Sequence, residues 1–501
     1  SRGLGDVYKR QEERLRMKST GLVTDFYQIS MTYALFRLGR HENQVVFDRF
    51  YRQNPFGGGY TVVAGLSHLT EFVNNFRYDE EYIAYLRSLG IFSEEFLSYL
   101  AGFRFHGDIY AVPEGTVVFP GELLLRFHGT TAEAMLIETG LSMIMNHESL
   151  IATKARRIRT VAGSDALMEF GLRRAQGQSA GLWGARSAMI GGFNGTSNVE
   201  AGQRFHIPVL GTMAHSWVMS FDHEIDAFRE YVKCYHENLI LLADTYNVLE
   251  IGVPDAITVF HELKAQGKLP KVYGIRIDSG DLAYLSKEAK RMFTEAGLPD
   301  AIISGSNDLD EYLIQSLKHQ GATITSWGVG TKCITADGSS ALGGVFKMSA
   351  RWEDGKVQPV MKISEDVHKI TNPGIKEVYR FYRKDNGKMI TDLVCLQGEE
   401  IREDRDVVFV TEAAPWRKKH LRAGSFTVRP LLKPLIQKGK AVKLPEISEI
   451  IDYANQEMAT LWPEYTRLVN PDIMEVNLSC RLQELKKEII ARELADKHHL
   501  T

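Results

Sequence analysis

Cysteine is scarce: Cys234, Cys333, Cys395 and Cys480 are the only four in 501 residues, they stand far apart, and none forms a CxxC pair. That scarcity argues against a disulfide framework and a zinc ribbon, and a reducing cytoplasm is the expected location. An excess of one charge is also missing, since 60 lysines and arginines against 63 aspartates and glutamates leave a formal net charge of -3. Such a balance creates no global field for nucleic acid or an anionic membrane, and neither is expected as a partner. No uninterrupted apolar run approaches the roughly 18 residues of a membrane span, and the N-terminus lacks the apolar core of a secretory leader. What is present is an ordinary globular mixture, 44% hydrophobic and 25% charged, enough to bury a sizeable core. At roughly 150 residues per domain the length allows about three domains, or one large barrel with additions.

Residues 1–19 read as an extension outside the fold, with five arginines and lysines before Met17, which is expected to open the natural chain. Residues 20–141 read as an α+β sheet domain: a helical period over 26–38, alternation over 45–51 and 108–127, and turn punctuation at Pro113, Gly115, Pro120 and Gly121. Over 142–349 short apolar runs end in Gly, Ser, Thr, Asp or Asn and give way to helical patterns, the rhythm of βα repetition. Strands are expected at 188–190, 207–210, 239–242, 272–277, 301–303 and 323–327, and six such units suggest a barrel. Residues 350–501 carry strand-like 378–382 and 390–396, then a long helical pattern over 447–494, expected to pack back on the N-terminal domain.

In a parallel barrel the loops after the strands gather on one face. The polar and glycine residues of this chain fall in those loops. Arg276-Ile277-Asp278-Ser279-Gly280-Asp281 puts two carboxylates and a guanidinium at one strand end, suited to ribose hydroxyls, a phosphate or Mg²⁺ through water. An Asx turn with Asp281 capping the next helix is the equal alternative. Gly328-Val329-Gly330-Thr331 and Ser304-Gly305-Ser306-Asn307-Asp308 can cradle an anion through backbone amides or be simple tight turns, and neither has Walker or dinucleotide spacing. His215, just past an expected strand, can serve as base, acid or nucleophile, or be structural. Phe170-Gly171-Leu172-Arg173-Arg174 suits a flat anionic ligand or an ordinary helix end, and Lys154-Ala155-Arg156-Arg157-Ile158-Arg159 reads as a solvated helix face.

Together with Thr24-Asp25-Phe26-Tyr27-Gln28, Ile151-Ala152-Thr153-Lys154-Ala155-Arg156, Gly192-Phe193-Asn194-Gly195-Thr196-Ser197-Asn198 and Gly211-Thr212-Met213-Ala214-His215-Ser216, these motifs resemble the nicotinate phosphoribosyltransferase family from Thr24 to about Ile490. The resemblance implies an α/β fold: an irregular barrel of the type II phosphoribosyltransferase kind, an additional α+β sheet domain, a C-terminal helical extension, and a homodimer with shared active sites. It implies ATP-coupled joining of nicotinate to 5-phosphoribosyl 1-diphosphate, with Mg²⁺ and a phosphohistidine at His215, as the entry step of NAD salvage.

By the same resemblance Tyr27, reaching in from a partner subunit, and Phe170 sandwich the pyridine ring, and Thr212 and Arg276 contact nicotinate. Arg173 meets diphosphate, Asp278 holds the ribose hydroxyls, and Gly305, Gly330 and Thr331 take the 5-phosphate. Asp278 and Asp281 are expected to face the metal, directly or through water. His215, Asp278 and Arg276 form the catalytic set. The neighbouring nicotinamide phosphoribosyltransferase family has an aspartate where Ser197 stands, and an aspartate would repel a carboxylate, so Ser197 favours the acid. A non-catalytic nucleotide sensor should have lost these residues, and a Schiff-base lyase has only Lys332 to offer after an expected strand.

Overall fold

The computed structural model describes residues 19–498 apart from 236, 367, 368, 412 and 413. The extension expected over 1–19 thus lies outside the described residues except for Ser19, which is buried and donates its hydroxyl to Arg77 O at 2.9 Å. Met17 lies outside them too.

The N-terminal helix α1 (Phe26–Arg37) buries Gln28, Ile29 and Thr32 and leaves Phe26, Tyr27 and Met31 exposed. A seven-stranded antiparallel sheet follows the order Lys356–Pro359, Gly344–Glu353, Gln44–Tyr51, Leu125–Thr130, Asp108–Ala111, Lys433–Gln437, Lys440–Ala441. Distant parts of the chain therefore complete the N-terminal sheet. Helix α2 (Thr131–Ala162) runs for 32 residues through the point between 141 and 142 where the rhythm of the sequence changes. A capping box starts it: Glu133 N–H donates to the Thr130 hydroxyl and Thr130 N–H donates to the Glu133 carboxylate. Most of its residues are buried, on all faces, so it lacks the apolar stripe by which surface helices are recognised.

Six parallel strands form the second layer: β1 (Ala166–Glu169), β2 (Gly195–Thr196), β3 (Leu239–Leu242), β4 (Tyr273–Ile277), β5 (Ile302–Ser306) and β6 (Ser326–Val329), in the order β2-β1-β6-β5-β4-β3. All four residues of β3 and of β6 are buried, as expected for strands covered on both faces. The expected barrel is thus an open half-barrel, and β3 to β6 lie at or within a few residues of four of the expected runs.

Three expectations fail for physical reasons. Residues 188–190 are not a strand but the last turn of helix α3 (Gln178–Ile190), whose Ala185, Ala188, Met189 and Ile190 are all buried. Of 207–210, only Val209 bridges to Thr196. The helical pattern over 447–494 divides into Ile447–Thr460 and Cys480–His498, because a 3-10 turn opens at Pro463 and Val476–Ser479 enters a sheet. That third sheet has the order Ala414–Leu421, Val407–Thr411, Val476–Ser479, Met389–Leu396, Lys376–Arg383, Phe426–Pro430. Ile450 and Ala454 pack with Tyr60, Val117 and Phe119 of the N-terminal part.

The basic run on α2 is not a solvated face either. Lys154, Arg156 and Arg157 are buried, and Lys154 and Arg157 both pair with the fully buried Glu311, at 2.7 and 2.9 Å.

Candidate active site

The C-terminal ends of the parallel strands open into one cavity of about 540 Å³. Beyond β1 it is lined by Phe170, Arg173 and Arg174, and beyond β2 by Ser197. Gly211, Thr212, Ala214 and His215 form another wall, Arg276 and Asp278 come from β4, Ser306 to Asp308 from β5, and Gly328, Gly330 and Thr331 from β6. Phe170, Arg173, Ser197, Thr212, His215, Arg276, Asp278, Gly330 and Thr331 are thereby brought together as the sequence suggested.

Arg276 spans the floor. Its Nη2 donates to Met213 O at 3.2 Å, and its buried Nε has no hydrogen-bond partner. Burial lowers its pKa, while the nearby Asp278 and Asp244 favour the charged form. Asp278 accepts the Ser306 hydroxyl at 2.5 Å through Oδ1, and its N–H donates to Asp244 Oδ2 at 3.0 Å. Asp244, 1% exposed, also accepts the Ser279 hydroxyl at 2.6 Å, and its Oδ1 has no hydrogen-bond partner. The half-exposed His215 sets Nδ1 3.1 Å from the Thr245 hydroxyl, and its Nε2 lies 3.9 Å from Asp244 Oδ1 and 4.0 Å from Asp278 Oδ2. With Nδ1–H donating to Thr245, Nε2 keeps the lone pair that a nucleophile or base requires.

Phe170 is held by its N–H to Val329 O at 2.9 Å, and its ring crosses Gly328, where a Cβ would stand 2.7 Å from Cδ2. The glycine at 328 is thus required by the aromatic platform. Asn307 and Asp308 have φ of 97° and 39°, a left-handed conformation that costs a non-glycine residue on the order of 1–3 kcal/mol and is concentrated at functional loops.

Three expected site residues do not line the cavity. Tyr27 is exposed on α1. Gly305 lies within β5 with its Cβ direction toward Ile324, 2.8 Å from Cδ1, so its missing side chain serves packing. Asp281 accepts Tyr284 N–H at 3.0 Å and caps the helix Leu282–Glu295, the alternative that the sequence left open. Lys332 pairs with Asp337 at 2.6 Å, which raises its pKa and makes it a poor Schiff-base amine.

The sequence placed Asp244, Thr245 and Ser306 in loops after expected strands but gave none of them a role of its own, and it did not single out Glu169. Asp244 and Thr245 had a visible signal, polar residues straight after the apolar run Leu239–Leu242, but nothing local tied them to His215.

Residues 22–146, 166–391 and 375–486 match family models described as the nicotinate phosphoribosyltransferase N-terminal domain, family and C-terminal domain. Over 480 residues the chain is 42% identical to the nicotinate phosphoribosyltransferase of Bacillus subtilis (strain 168), covering 94% of this chain and 97% of that protein. The chain belongs to the nicotinate phosphoribosyltransferase family. It is an enzyme of that kind. Its Caenorhabditis elegans relative is 35% identical, with 92% of each chain covered. The crystal structure of human nicotinic acid phosphoribosyltransferase superposes with a TM-score of 0.83 at 30% identity, covering 93% of this chain and all of that one. The fold is accordingly that of the type II phosphoribosyltransferases, with N- and C-terminal domains about the half-barrel. The Pyrococcus furiosus nicotinate-nucleotide pyrophosphorylase, at 22% identity and a TM-score of 0.64, shares the fold. Among the described residues no helix is long and apolar enough to cross a membrane.

Proposed function

We propose that the enzyme joins nicotinate to 5-phosphoribosyl 1-diphosphate, giving nicotinate mononucleotide and diphosphate, with ATP hydrolysis coupled through a phosphohistidine at His215 in NAD salvage. The observation that carries this reading is the convergence of an aromatic platform, a buried guanidinium with an unpartnered Nε, and Asp278 beside His215 in one cavity.

The pyridine ring lies on Phe170, and its carboxylate takes the unpartnered Nε–H of Arg276, with Thr212 and Ser197 beside it. Asp278 accepts hydrogen bonds from the ribose hydroxyls, Arg173 meets the diphosphate, and Gly330 and Thr331 hold the 5-phosphate. As the C1–O bond to diphosphate breaks, C1 becomes electron-poor, and the pyridine nitrogen closes the new bond with its own lone pair. No general base is needed. Cationic side chains aimed at the leaving group act where charge develops.

Magnesium suits this donor set: Asp278 with Asp244 behind it offers carboxylate oxygens, and the remaining ligands can come from phosphate and water. A magnesium ion held there would supply positive charge to offset that of the leaving diphosphate. Asp281, one of whose oxygens caps a helix, would contribute its other oxygen through water. His215 takes a phosphoryl group at Nε2, releasing ADP, and water later cleaves the P–N bond. The added charge beside the diphosphate site biases the reaction toward product.

The exposed Tyr27 on α1 is read as a contribution to the partner's cavity in a homodimer. The free cysteines, Cys234 among them exposed, support a reducing compartment, the cytoplasm.

The test is mononucleotide formation from the donor and Mg²⁺ with nicotinate or nicotinamide, each with and without ATP. Nicotinate-dependent product stimulated by ATP supports the proposal. Product from nicotinamide alone transfers the chain to the neighbouring specificity, and no product with either base favours a nucleotide sensor.

A further inference from the structure

Glu169, the last residue of β1, does not line the cavity and is fully buried. One carboxylate oxygen accepts Gly171 N–H at 2.5 Å, and the other accepts the Thr196 hydroxyl at 2.5 Å. Its backbone carbonyl accepts Ser197 N–H at 2.9 Å. One residue therefore ties the Phe170-Gly171 segment to the Thr196-Ser197 segment. Thr196 has no freedom to release it: its Oγ1 accepts Asn198 N–H at 3.0 Å, and Asn198 in turn caps the next helix by accepting Ala201 N–H at 3.1 Å. With that lone pair used, the hydroxyl proton goes to Glu169. Both partners of the carboxylate are donors, which an acceptor-only side chain satisfies at once. Burial raises its pKa, and these two bonds oppose the rise.

The geometry points to Glu169 as a positioning residue for the base: by holding Gly171 and Thr196 it sets the gap between the Phe170 ring and Ser197, in which the flat pyridine sits. This rests on the proposed reaction, which places nicotinate between those two residues. Glu169 acts on base affinity more than on the phosphoribosyl donor, because Arg173 lies within a 3-10 turn (Leu172–Arg174) closed by its own bond, Arg174 N–H to Gly171 O at 2.8 Å.

The test compares Glu169→Ala, Glu169→Gln, Thr196→Val and the Ala/Val double variant in the full-length enzyme. Steady-state KM for each substrate is measured alongside nicotinate binding by titration calorimetry. Thr196→Val should raise the nicotinate KM and Kd about tenfold, the loss of one hydrogen bond to a charged group, and Glu169→Ala, which loses two, by at least as much, with the donor KM changing less than about threefold in both. The double variant should be no worse than the worse single, since both remove one clamp. Glu169→Gln should fall between wild type and Glu169→Ala, because its single carbonyl oxygen can accept from only one of the two donors, Gly171 N–H and the Thr196 hydroxyl. Thr196→Val, close to isosteric, keeps the test open if the alanine variant does not fold. Unchanged KM and Kd with kcat falling in step with the folded fraction, or a Gln variant indistinguishable from wild type, would overturn the assignment. A wild type that binds nicotinate without turning it over counts against the proposed reaction and leaves the calorimetric test of Glu169 intact; one that binds none overturns both.

Discussion

The buried carboxylate of Asp244 accepts the backbone N–H of Asp278 at 3.0 Å, so the placement of a pocket carboxylate depends on a buried one behind it. Ser279 shares the same oxygen. Asp244→Ala leaves both donors without their partner, and the expected loss is about 2–4 kcal/mol of unfolding free energy. Urea denaturation checks this, and kcat/KM for the donor should fall in the same variant, by on the order of 100-fold, as Asp278 loses its support.

His215→Ala should abolish ATP stimulation and phosphoryl incorporation while retaining slow, ATP-independent transfer, because the cavity walls do not depend on the imidazole. Initial rates with and without ATP, with radiolabelled γ-phosphate, give the answer. Full ATP coupling in that variant contradicts the phosphohistidine.

Ser197→Asp should move preference from nicotinate toward nicotinamide. An anion at that wall repels the ring carboxylate and accepts from an amide N–H, and a shift of about tenfold or more in the ratio of kcat/KM values is expected. An unchanged ratio places the discrimination elsewhere in the cavity.

Glu311 is the shared anion for two buried cations, Lys154 and Arg157. Glu311→Ala strands both and should destabilise the protein by about 3–5 kcal/mol, read as a fall in the urea midpoint. A variant as stable as wild type would mean that water reaches the cations.

Glu224 is 3% exposed with neither carboxylate oxygen hydrogen-bonded, and burial, with help from Asp255 and Asp244, pushes its pKa from 4.5 up to about 7. The folded state therefore holds a proton that the unfolded chain releases above pH 4.5. Stability contributed by this group is complete below pH 4.5 and is lost as pH rises through about 7. The loss is at most on the order of 3 kcal/mol. Glu224→Gln should flatten the denaturation midpoint between pH 5 and 8 relative to wild type, and an unchanged slope would show that another group titrates.

Parallel strands with polar residues at their C-terminal ends were legible because apolar runs such as Leu239–Leu242 and Tyr273–Ile277 announce themselves locally, and their following residues meet on one face whatever the details. Helix α2 was not legible, because burial on every side removes the polar face that marks a helix. Its basic run misled for the same reason: the acid that neutralises Lys154 and Arg157 lies far along the chain.

By itself the sequence determined four of the six half-barrel strands, the identity of most of the cavity-lining residues and, through its motifs, the family. Only the tertiary structure decided that Asp281 caps a helix while Asp278 enters the cavity, and that Tyr27 stands outside the cavity of its own chain. It alone paired Asp244 with Asp278 across 34 residues and Glu169 with Thr196 across 27. The physical reason is that a strand depends on neighbours along the chain, whereas a buried carboxylate depends on which donors reach it in space.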